Sequence, residues 1–347
     1  MSLKDFDLNS WKDYFQDPLP GWANSSSTLF DVPKIAIHDE NKNGVESVCF
    51  SVPFDGTASS RPGAKFGPAS IREASRIFAN QTNSRGHLLL RNMRNGFLYE
   101  TVSPNMADAG DLHVYSSNVT KQMEALSAEA FVLASKYKKL IFLGGEHSLS
   151  FPVFRAMHKY CTETQNESIG YVQVDHHFDF GNNSSIHGLY YHGSNARRIS
   201  ELPGMSIEKM AFVGVGDFTS ASQFDHLTQN KARIKSIQEI REKGFIRCLK
   251  DSLDGMTELV DHIYLSIDID VCDTGTATGT GHVTVGGINA TEFLDIASLL
   301  HSYPIRVLDL MEVAPVYDQS NATSHLAARL LYEWLFTKPV KIENQNV

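Results

Sequence analysis

Several features that would place this chain in a familiar class are missing from its sequence. No stretch approaches the roughly 20 consecutive apolar residues that a membrane-spanning helix needs. Lys and Arg number 31 against 40 Asp and Glu, a net charge of −9, so there is no basic excess to neutralise nucleic-acid phosphates. The nucleotide-binding patterns G-x-G-x-x-G and G-x-x-x-x-G-K-[ST] do not occur. These absences argue against a membrane protein, a nucleic-acid binder and a nucleotide enzyme.

Cysteine is also scarce, and its placement indicates a reducing compartment. The four cysteines contain no C-x-x-C pair and are widely spaced: Cys49, Cys161, Cys248 and Cys272. Such cysteines are expected to be buried free thiols. The segment Met1-Ser-Leu-Lys-Asp-Phe-Asp7 lacks the apolar core of a signal peptide, so a cytoplasmic location is expected.

The order of apolar patterns predicts an α/β protein. Strand-like and helix-like segments alternate, which favours a three-layer α/β/α fold around a mostly parallel sheet, with ligand sites at the carboxyl ends of the strands. Residues 1–44 carry polar, turn-rich patches and are expected to form an amino-terminal extension, and residues 45–347 a single domain. Strands are predicted at 45–54, 210–216, 258–270 and 305–315, and helices from Pro68 or Ser70 and at 120–137, 149–160, 224–243, 288–301 and 322–336.

The stretch from Tyr171 to Phe180 holds the most informative pattern. It begins with β-forming residues and places Asp175, His177 and Asp179 at alternate positions where the strand would end. Alternation in an extended chain puts these three side chains on one face, and His176 on the other. The ordinary alternative is a solvated acidic turn, because charge clusters usually lie on the surface.

Two further strand ends carry potential ligands. Gly144-Gly145 interrupts an apolar run and is followed by His147, and Asp268 and Asp270 end a run that is otherwise apolar. Ionised carboxylates are costly to bury without partners, so these side chains favour a cation. Cys272 is a weak candidate ligand because its neighbours are hard oxygen donors.

Taken together, three motifs resemble those of the ureohydrolases, the arginase and agmatinase family, in its agmatinase-like branch. They are Gly144-Gly-Glu-His-Ser148, Asp175-His-His-Phe-Asp179 and Ser266-Ile-Asp-Ile-Asp-Val-Cys-Asp273. The resemblance extends over about residues 45–336, through Arg61-Pro-Gly-Ala-Lys-Phe-Gly-Pro68, Ala107-Asp-Ala-Gly-Asp111, His192-Gly193 and Glu312-Val-Ala-Pro-Val-Tyr-Asp318.

The resemblance implies a pair of divalent metal ions, Mn²⁺ first and Ni²⁺ as the alternative. One ion would be held by His147, Asp175, Asp179 and Asp268, and the other by Asp175, His177, Asp268 and Asp270. Four aspartates nearly balance two divalent ions, and such a pair activates water for attack on a guanidinium carbon, giving urea and an amine.

The resemblance also implies roles around the metals. Asp179 would orient the attacking water, Glu312 would bind the guanidinium nitrogens, and His192 would contact the substrate and protonate the departing amine. His187, also followed by glycine, is the alternative to His192. Asp273 is expected to fix its loop rather than bind a metal.

Two departures from the family pattern concern the substrate. Gly181 stands where arginases use an asparagine for the amino-acid end of arginine, so arginine is not expected. His282 lies in Gly279-Thr-Gly-His-Val283, where agmatinase-like members read Gly-Thr-Gly-Thr-Pro, and is expected to bind substrate. Four aromatic side chains were candidates to enclose a small cationic guanidino compound: Phe178, Phe180, Tyr190 and Tyr191.

The substrate and assembly stay open at this point. Candidates are agmatine or a guanidino acid, free guanidine, and an alkylated guanidine or biguanide such as metformin, with formiminoglutamate as an alternative. Other classes are a non-catalytic subunit of a mixed oligomer and a single-zinc deacetylase, which the two-ion ligand set disfavours. The resemblance implies a homo-oligomer, a trimer or a hexamer.

Overall fold

The structure, a computed structural model, describes residues 27–41, 43–83 and 88–340. Eight parallel strands form the main sheet in the order β4-β1-β5-β10-β9-β6-β7-β8, and three antiparallel strands form a small second sheet in the order β11-β3-β2. The strands are β1 Ser47–Ser51, β2 Leu89–Arg91, β3 Leu98–Thr101, β4 Met106–Asp111, β5 Lys139–Leu143, β6 Ile169–Val174, β7 Met210–Val215, β8 Arg233–Ser236, β9 His262–Asp268, β10 Ile305–Met311 and β11 Thr337–Pro339.

Helices cover both faces of the main sheet, which confirms the predicted three-layer fold. The helices are α1 Gly67–Asn83, α2 Val119–Lys136, α3 Ser150–Lys159, α4 Asn195–Ser200, α5 Ala221–Gln229, α6 Ile237–Lys243, α7 Phe245–Thr257, α8 Ala290–Leu300 and α9 Ala322–Phe336. One hydrophobic core joins the sheet to α1, α6, α7, α8 and α9, and a second joins its other face to α2, α3, α4 and α5. No helix in the described ranges is long and apolar enough to cross a membrane.

Strand register brings four carboxyl ends together at the centre of the sheet. Val174 of β6 pairs with Ile267 of β9, Ile267 pairs with Leu310 of β10, and Leu310 pairs with Leu143 of β5. Every residue of β6 and β7 is buried, as expected for central strands covered on both faces. Residues just beyond these four ends therefore lie side by side, although they come from distant parts of the chain.

Most predicted elements occur within a few residues of their expected bounds, and two segments were wrong. Residues 224–243 are not one helical stretch, because the edge strand β8 separates α5 from α6. The strand predicted at 258–270 begins only at His262, and the helix α7 before it was missed. β8 is short and half-buried throughout, so its sequence lacks the apolar run of a central strand.

The predicted amino-terminal extension lies mostly outside the described residues. Within the described part, Leu29 and Phe30 are buried, and Phe30 packs against Tyr332 and Phe336 of α9. The backbone N–H of Leu29 donates to the Asp108 carboxylate at 2.7 Å. The division at residue 44 stays a prediction.

Candidate metal centre and cleft

The turns that follow β6 and β9 are built in the same way. The Asp175 carboxylate accepts the backbone N–H of His177 at 2.6 Å, and the Asp268 carboxylate accepts that of Asp270 at 2.8 Å. Each bond bends the chain directly after the strand, as aspartates do in local turns. The alternation argument was therefore wrong in its mechanism: β6 ends at Val174, and Asp175, His177 and Asp179 converge through a turn instead of along an extended strand.

One group of side chains surrounds the His147 imidazole. Its Nδ1 lies 3.2 Å from Asp175 Oδ2, 3.0 Å from Asp179 Oδ2 and 3.0 Å from Asp268 Oδ2. The other nitrogen, Nε2, is 2.8 Å from the Ser266 hydroxyl, which fixes the plane of the ring. These are the four residues predicted for the first ion, and each offers one ligand atom within 4.8 Å of the others.

A second group lies beside the first and shares Asp175 with it. The His177 Nδ1 atom is 3.3 Å from Asp175 Oδ1 and 3.4 Å from Asp270 Oδ2. The Asp175 carboxylate thus faces His147 with one oxygen and His177 with the other. Asp268, expected to serve both ions, falls in the first group only, and its Oδ1 is occupied by the Asp270 N–H.

The nitrogen and oxygen atoms of the two groups are arranged for binding cations and not for hydrogen bonding to one another. His147 Nδ1 has three carboxylate oxygens at short distance, yet it and Asp270 Oδ1 are buried without a hydrogen-bond partner among the described residues. Short contacts without hydrogen-bond alignment are expected where several donors point to one central atom.

The charges around His147 and Asp268 also favour a pair of cations. Burial and the neighbouring Asp270 and Asp175 charges raise the pKa of Asp268 well above its ordinary value. Burial lowers the pKa of His147, but the three surrounding carboxylates outweigh it and raise that pKa well above its usual range. A positive charge among these carboxylates is therefore favourable, and a divalent ion would supply it.

Glu312 and His192 lie next to this cluster. Glu312, directly beyond β10, accepts the backbone N–H of His147 at 2.9 Å, and its Oε1 lies 3.4 Å from His192 Nδ1. Burial lowers the pKa of His192, but the Glu312 carboxylate more than offsets this and raises it to about 9. The Ser59 hydroxyl lies 2.6 Å from Nε2 on the other side of the ring. Sequence reasoning missed Ser59, which follows no recognisable pattern.

Two of the predicted site residues have unfavourable backbone conformations. Asp179 has φ 46° and Glu312 has φ 63°, in the left-handed region that non-glycine residues rarely adopt. Strain of this kind persists where surrounding contacts hold a residue in place, and it concentrates at functional sites.

Paired glycines before His147 serve close packing. A Cβ atom on Gly145 would lie 1.9 Å from the Phe54 carbonyl oxygen, and one on Gly144 would lie 2.1 Å from Met311 Cε. The next residue, Glu146, accepts the Thr57 N–H at 2.9 Å and the Ser148 hydroxyl at 2.7 Å. The 54–61 loop, which carries Ser59, is thereby held against the cluster.

The groups open into a cavity of about 360 Å³. Among the predicted residues, His177, Asp179, His192, Asp268, Asp270 and His282 line it, together with the unpredicted Ser59, Asp217 and Phe218. His187 lies in a turn closed by Ser184 and Gly188 and is not one of the lining residues. His176 lines one wall, where it packs against Gly216, and belongs to neither ligand group.

Three of the four aromatic residues expected around the substrate line the cavity: Phe178, Phe180 and Tyr191. Phe178 and Phe180 also pack on Phe212, and the Tyr191 hydroxyl lies in front of Gly181. Tyr190 stacks on Phe151 and is not one of the lining residues. Enclosure of the substrate by these aromatic side chains stays a prediction.

Arg61, Arg72 and Asp273 hold the surroundings together. The Arg61 guanidinium donates to the Thr280 and Gly281 carbonyls and lies 4.1 Å over the Tyr317 ring, tying its loop to the one that carries His282. Asp273 accepts the N–H groups of Gly275 and Gly286 across the base of that loop. Buried Arg72 is paired with Asp108 and Asp111, away from the cavity.

A parallel sheet with aspartates and histidines at the ends of its central strands defines an α/β protein with a candidate hydrolytic metal centre. The chain belongs to the arginase family, whose model matches residues 46–337. It is 27% identical over 297 residues to the mitochondrial guanidino acid hydrolase of Homo sapiens, covering 85% of this chain and 79% of that protein. To the agmatinase of Bacillus anthracis it is 28% identical over 292 residues, 84% of this chain and 91% of that protein.

The solved structures give the same fold. Formimidoylglutamase from Bacillus subtilis superposes with a TM-score of 0.74 at 23% identity, covering 94% of this chain and 97% of that one. The resemblance to ureohydrolases of the agmatinase-like branch is confirmed. The chain is therefore a hydrolase acting on guanidino or amidino C–N bonds.

Proposed function

We propose that this protein hydrolyses a small guanidino compound other than arginine to urea and an amine, using two divalent ions. The observation that carries the proposal is the Asp175 carboxylate, whose two oxygens face His147 and His177 and so join two ligand groups. Residues His147, Asp179 and Asp268 would complete the first ion's ligands, and His177 and Asp270 the second's. When bound, such a pair supplies activated water at moderate pH.

The chain's own groups would bind and orient the substrate. Glu312 is buried beside the cluster, where its carboxylate suits the planar N–H groups of a guanidinium. Asp179 lies between His147 and the cavity, in position to orient the attacking water. His192 is held between Glu312 and Ser59, and its raised pKa keeps it protonated at neutral pH, as a donor to the departing amine must be.

The space around Gly181 supports a substrate other than arginine. A Cβ atom there would lie 1.9 Å from the Tyr191 hydroxyl and 2.9 Å from the Gly193 carbonyl oxygen. Tyr191 thus fills the place of the asparagine that the arginase pattern has at this position. Among the candidates, agmatine, a guanidino acid, guanidine and alkylated guanidines or biguanides lack arginine's amino-acid end and fit this arrangement.

Metal preference follows from donor chemistry. Four of the six proposed ligands are carboxylates, which suit Mn²⁺, while two imidazoles also accept Ni²⁺. Mn²⁺ is proposed first and Ni²⁺ as the alternative. Assembly as a homotrimer or homohexamer and a cytoplasmic location stay predictions.

The test is urea release by protein loaded separately with Mn²⁺ and with Ni²⁺. The panel is agmatine, guanidinobutyrate, guanidine, dimethylated guanidines and biguanides, and arginine. Turnover of one of the first five with little from arginine supports the proposal, and the Glu312→Gln variant should lose that turnover while keeping its metal. If fully loaded protein releases urea from none of them, and no guanylurea with an amine from the biguanides, the proposal fails. Formiminoglutamate would then be tested next, and a non-catalytic subunit after that.

A further inference from the structure

A third ligand cluster, which shares His177 with the second group, lines the cavity. It consists of His177, Asp217 and His282, which follow β6, β7 and β9 respectively, and one ligand atom of each lies within 4.8 Å of the others. The Nε2 atom of His177 is 3.8 Å from Asp217 Oδ2, and the His177 and His282 ring centres are 4.5 Å apart. Asp217 and His282 are exposed, and all three line the cavity.

His177 presents a different nitrogen to each cluster. Nδ1 faces Asp175 and Asp270, and Nε2 faces outward to Asp217. Nε2 is buried and has no hydrogen-bond partner among the described residues, since Asp217 is too far away to accept from it. An unpartnered buried nitrogen aimed at a carboxylate and a second imidazole is what a metal ligand looks like before its ion is bound.

The geometry points to an outer binding site for a third divalent ion, and we propose that Ni²⁺ or Zn²⁺ binds there through His177 Nε2, Asp217 and His282. Ligand atoms on one tetrahedral ion with bonds of about 2.1 Å lie about 3.4 Å apart. The 3.8 Å contact is close to that, and two exposed side chains can turn to complete it. Two imidazoles and one carboxylate favour Ni²⁺ or Zn²⁺ over Mn²⁺.

Binding there involves a proton. Binding through Nε2 would release to solvent the proton that this nitrogen otherwise carries. Asp217 and His282 are exposed, whereas the inner ligand residues are buried or half-buried, so an ion held here would lie on the solvent side of the inner groups. The outer ion therefore inhibits the enzyme, and it does so without replacing either inner ion.

This inference rests on the proposed function only in that His177 also serves the inner pair, and the experiment separates the two. Protein dialysed against Ni²⁺ is assayed for bound nickel per chain by mass spectrometry, for wild type and for Asp217→Asn, His282→Asn and His325→Asn. His325 is an exposed histidine on α9 and serves as the matched control. We expect three nickel ions in wild type and in His325→Asn, and two in the other variants.

A second readout uses Mn²⁺-loaded protein and its urea release. Added Zn²⁺ should inhibit wild type, and His282→Asn should need at least about tenfold more Zn²⁺ for half inhibition, because loss of even a residue that only supports a ligand costs about 10- to 100-fold in metal affinity. Equal nickel counts in wild type and His282→Asn would overturn the outer site, whatever the urea assay shows. So would loss of two or more ions on His282→Asn, because the histidine would then belong to the inner pair. If nickel dialysis gives three ions per chain but Mn²⁺-loaded protein without added Zn²⁺ releases no urea, the proposed function fails and the outer site stands.

Discussion

The hydroxyl of Tyr191 fills the space that any side chain at position 181 would need. A Cβ atom on Gly181 would lie 1.9 Å from that oxygen and 3.0 Å from the ring carbon that carries it. The Gly181 N–H also donates to the Gly193 carbonyl at 2.9 Å, so the two ends of the 181–193 loop, which carries His192, are bound to each other. Gly181, which departs from the arginase pattern, is thus packed directly against Tyr191, which lines the cavity.

Gly181→Ala should lower kcat/KM by roughly 100-fold, because the added methyl group displaces Tyr191 and with it the adjacent His192 by about 1 Å. Steady-state urea release on the preferred substrate measures this. Asn183→Ala, an exposed position in the same loop, is the control and should keep near wild-type rates. Unchanged kinetics in Gly181→Ala would show that Tyr191 does not set the position of His192.

Ser59→Ala should lower kcat about tenfold with little change in KM. The Ser59 hydroxyl fixes the His192 ring at 2.6 Å, and His192 is proposed to act when the amine departs, which affects the transition state more than substrate binding. Ser60→Ala is the matched control, since that hydroxyl contacts the Gly281 carbonyl instead. Equal effects of the two substitutions would indicate a general disturbance of the loop.

In Mn²⁺-loaded protein, Asp175→Asn should reduce bound metal from two ions to fewer than one per chain and lower urea release by more than roughly 100-fold, because this carboxylate joins both ligand groups. Metal analysis after dialysis measures the first effect, and circular dichroism checks the fold. Asp225→Asn, on the exposed face of α5, should keep both ions. Retention of two tightly bound ions by Asp175→Asn would exclude the proposed sharing.

The His113–Glu129 pair should make stability depend on pH. The hydrogen bond to Glu129 raises the pKa of His113, and burial only partly opposes it. A histidine whose folded pKa is raised stabilises the folded state fully below its unfolded pKa of about 6.5, and this contribution is lost as the pH rises through the folded value. The Tm difference between wild type and Glu129→Gln should therefore shrink as the pH rises above about 6.5. A difference that is constant over this range, or grows, would contradict the assignment.

Much of the fold, and the residues of the two ligand groups around His147 and His177, could be predicted from the sequence alone. β6 and the long helices α2 and α9 have strong apolar patterns, and ligand-type residues follow the strands that pair at the centre of the sheet. Two predictions failed. The strand β8 was missed because it is a half-buried edge strand with a weak apolar pattern. The alternation of side chains was extended beyond Val174, although Asp175 turns the chain there by accepting the His177 N–H.

Asp217 shows the limit of motif reading. It directly follows Gly216 at the end of β7, so a strand-end acid was visible in the sequence, but nothing there indicated that it would face His177 and His282. Those three residues are separated by 40 and 65 positions along the chain. Their proximity depends on β7, β6 and β9 being neighbours in the sheet.

By itself, the sequence determined the family, the layered α/β architecture and the residues that cluster in the two inner groups, because short motifs and apolar patterns are local properties of the chain. Tertiary structure alone decided that Asp175 spans two groups, that Tyr191 closes the space at Gly181, and that His177 presents its second nitrogen to Asp217. The physical reason is that these relationships depend on distances of a few ångströms between loops, and such distances are set by strand order and register and by side-chain packing, which spacing along the chain does not encode.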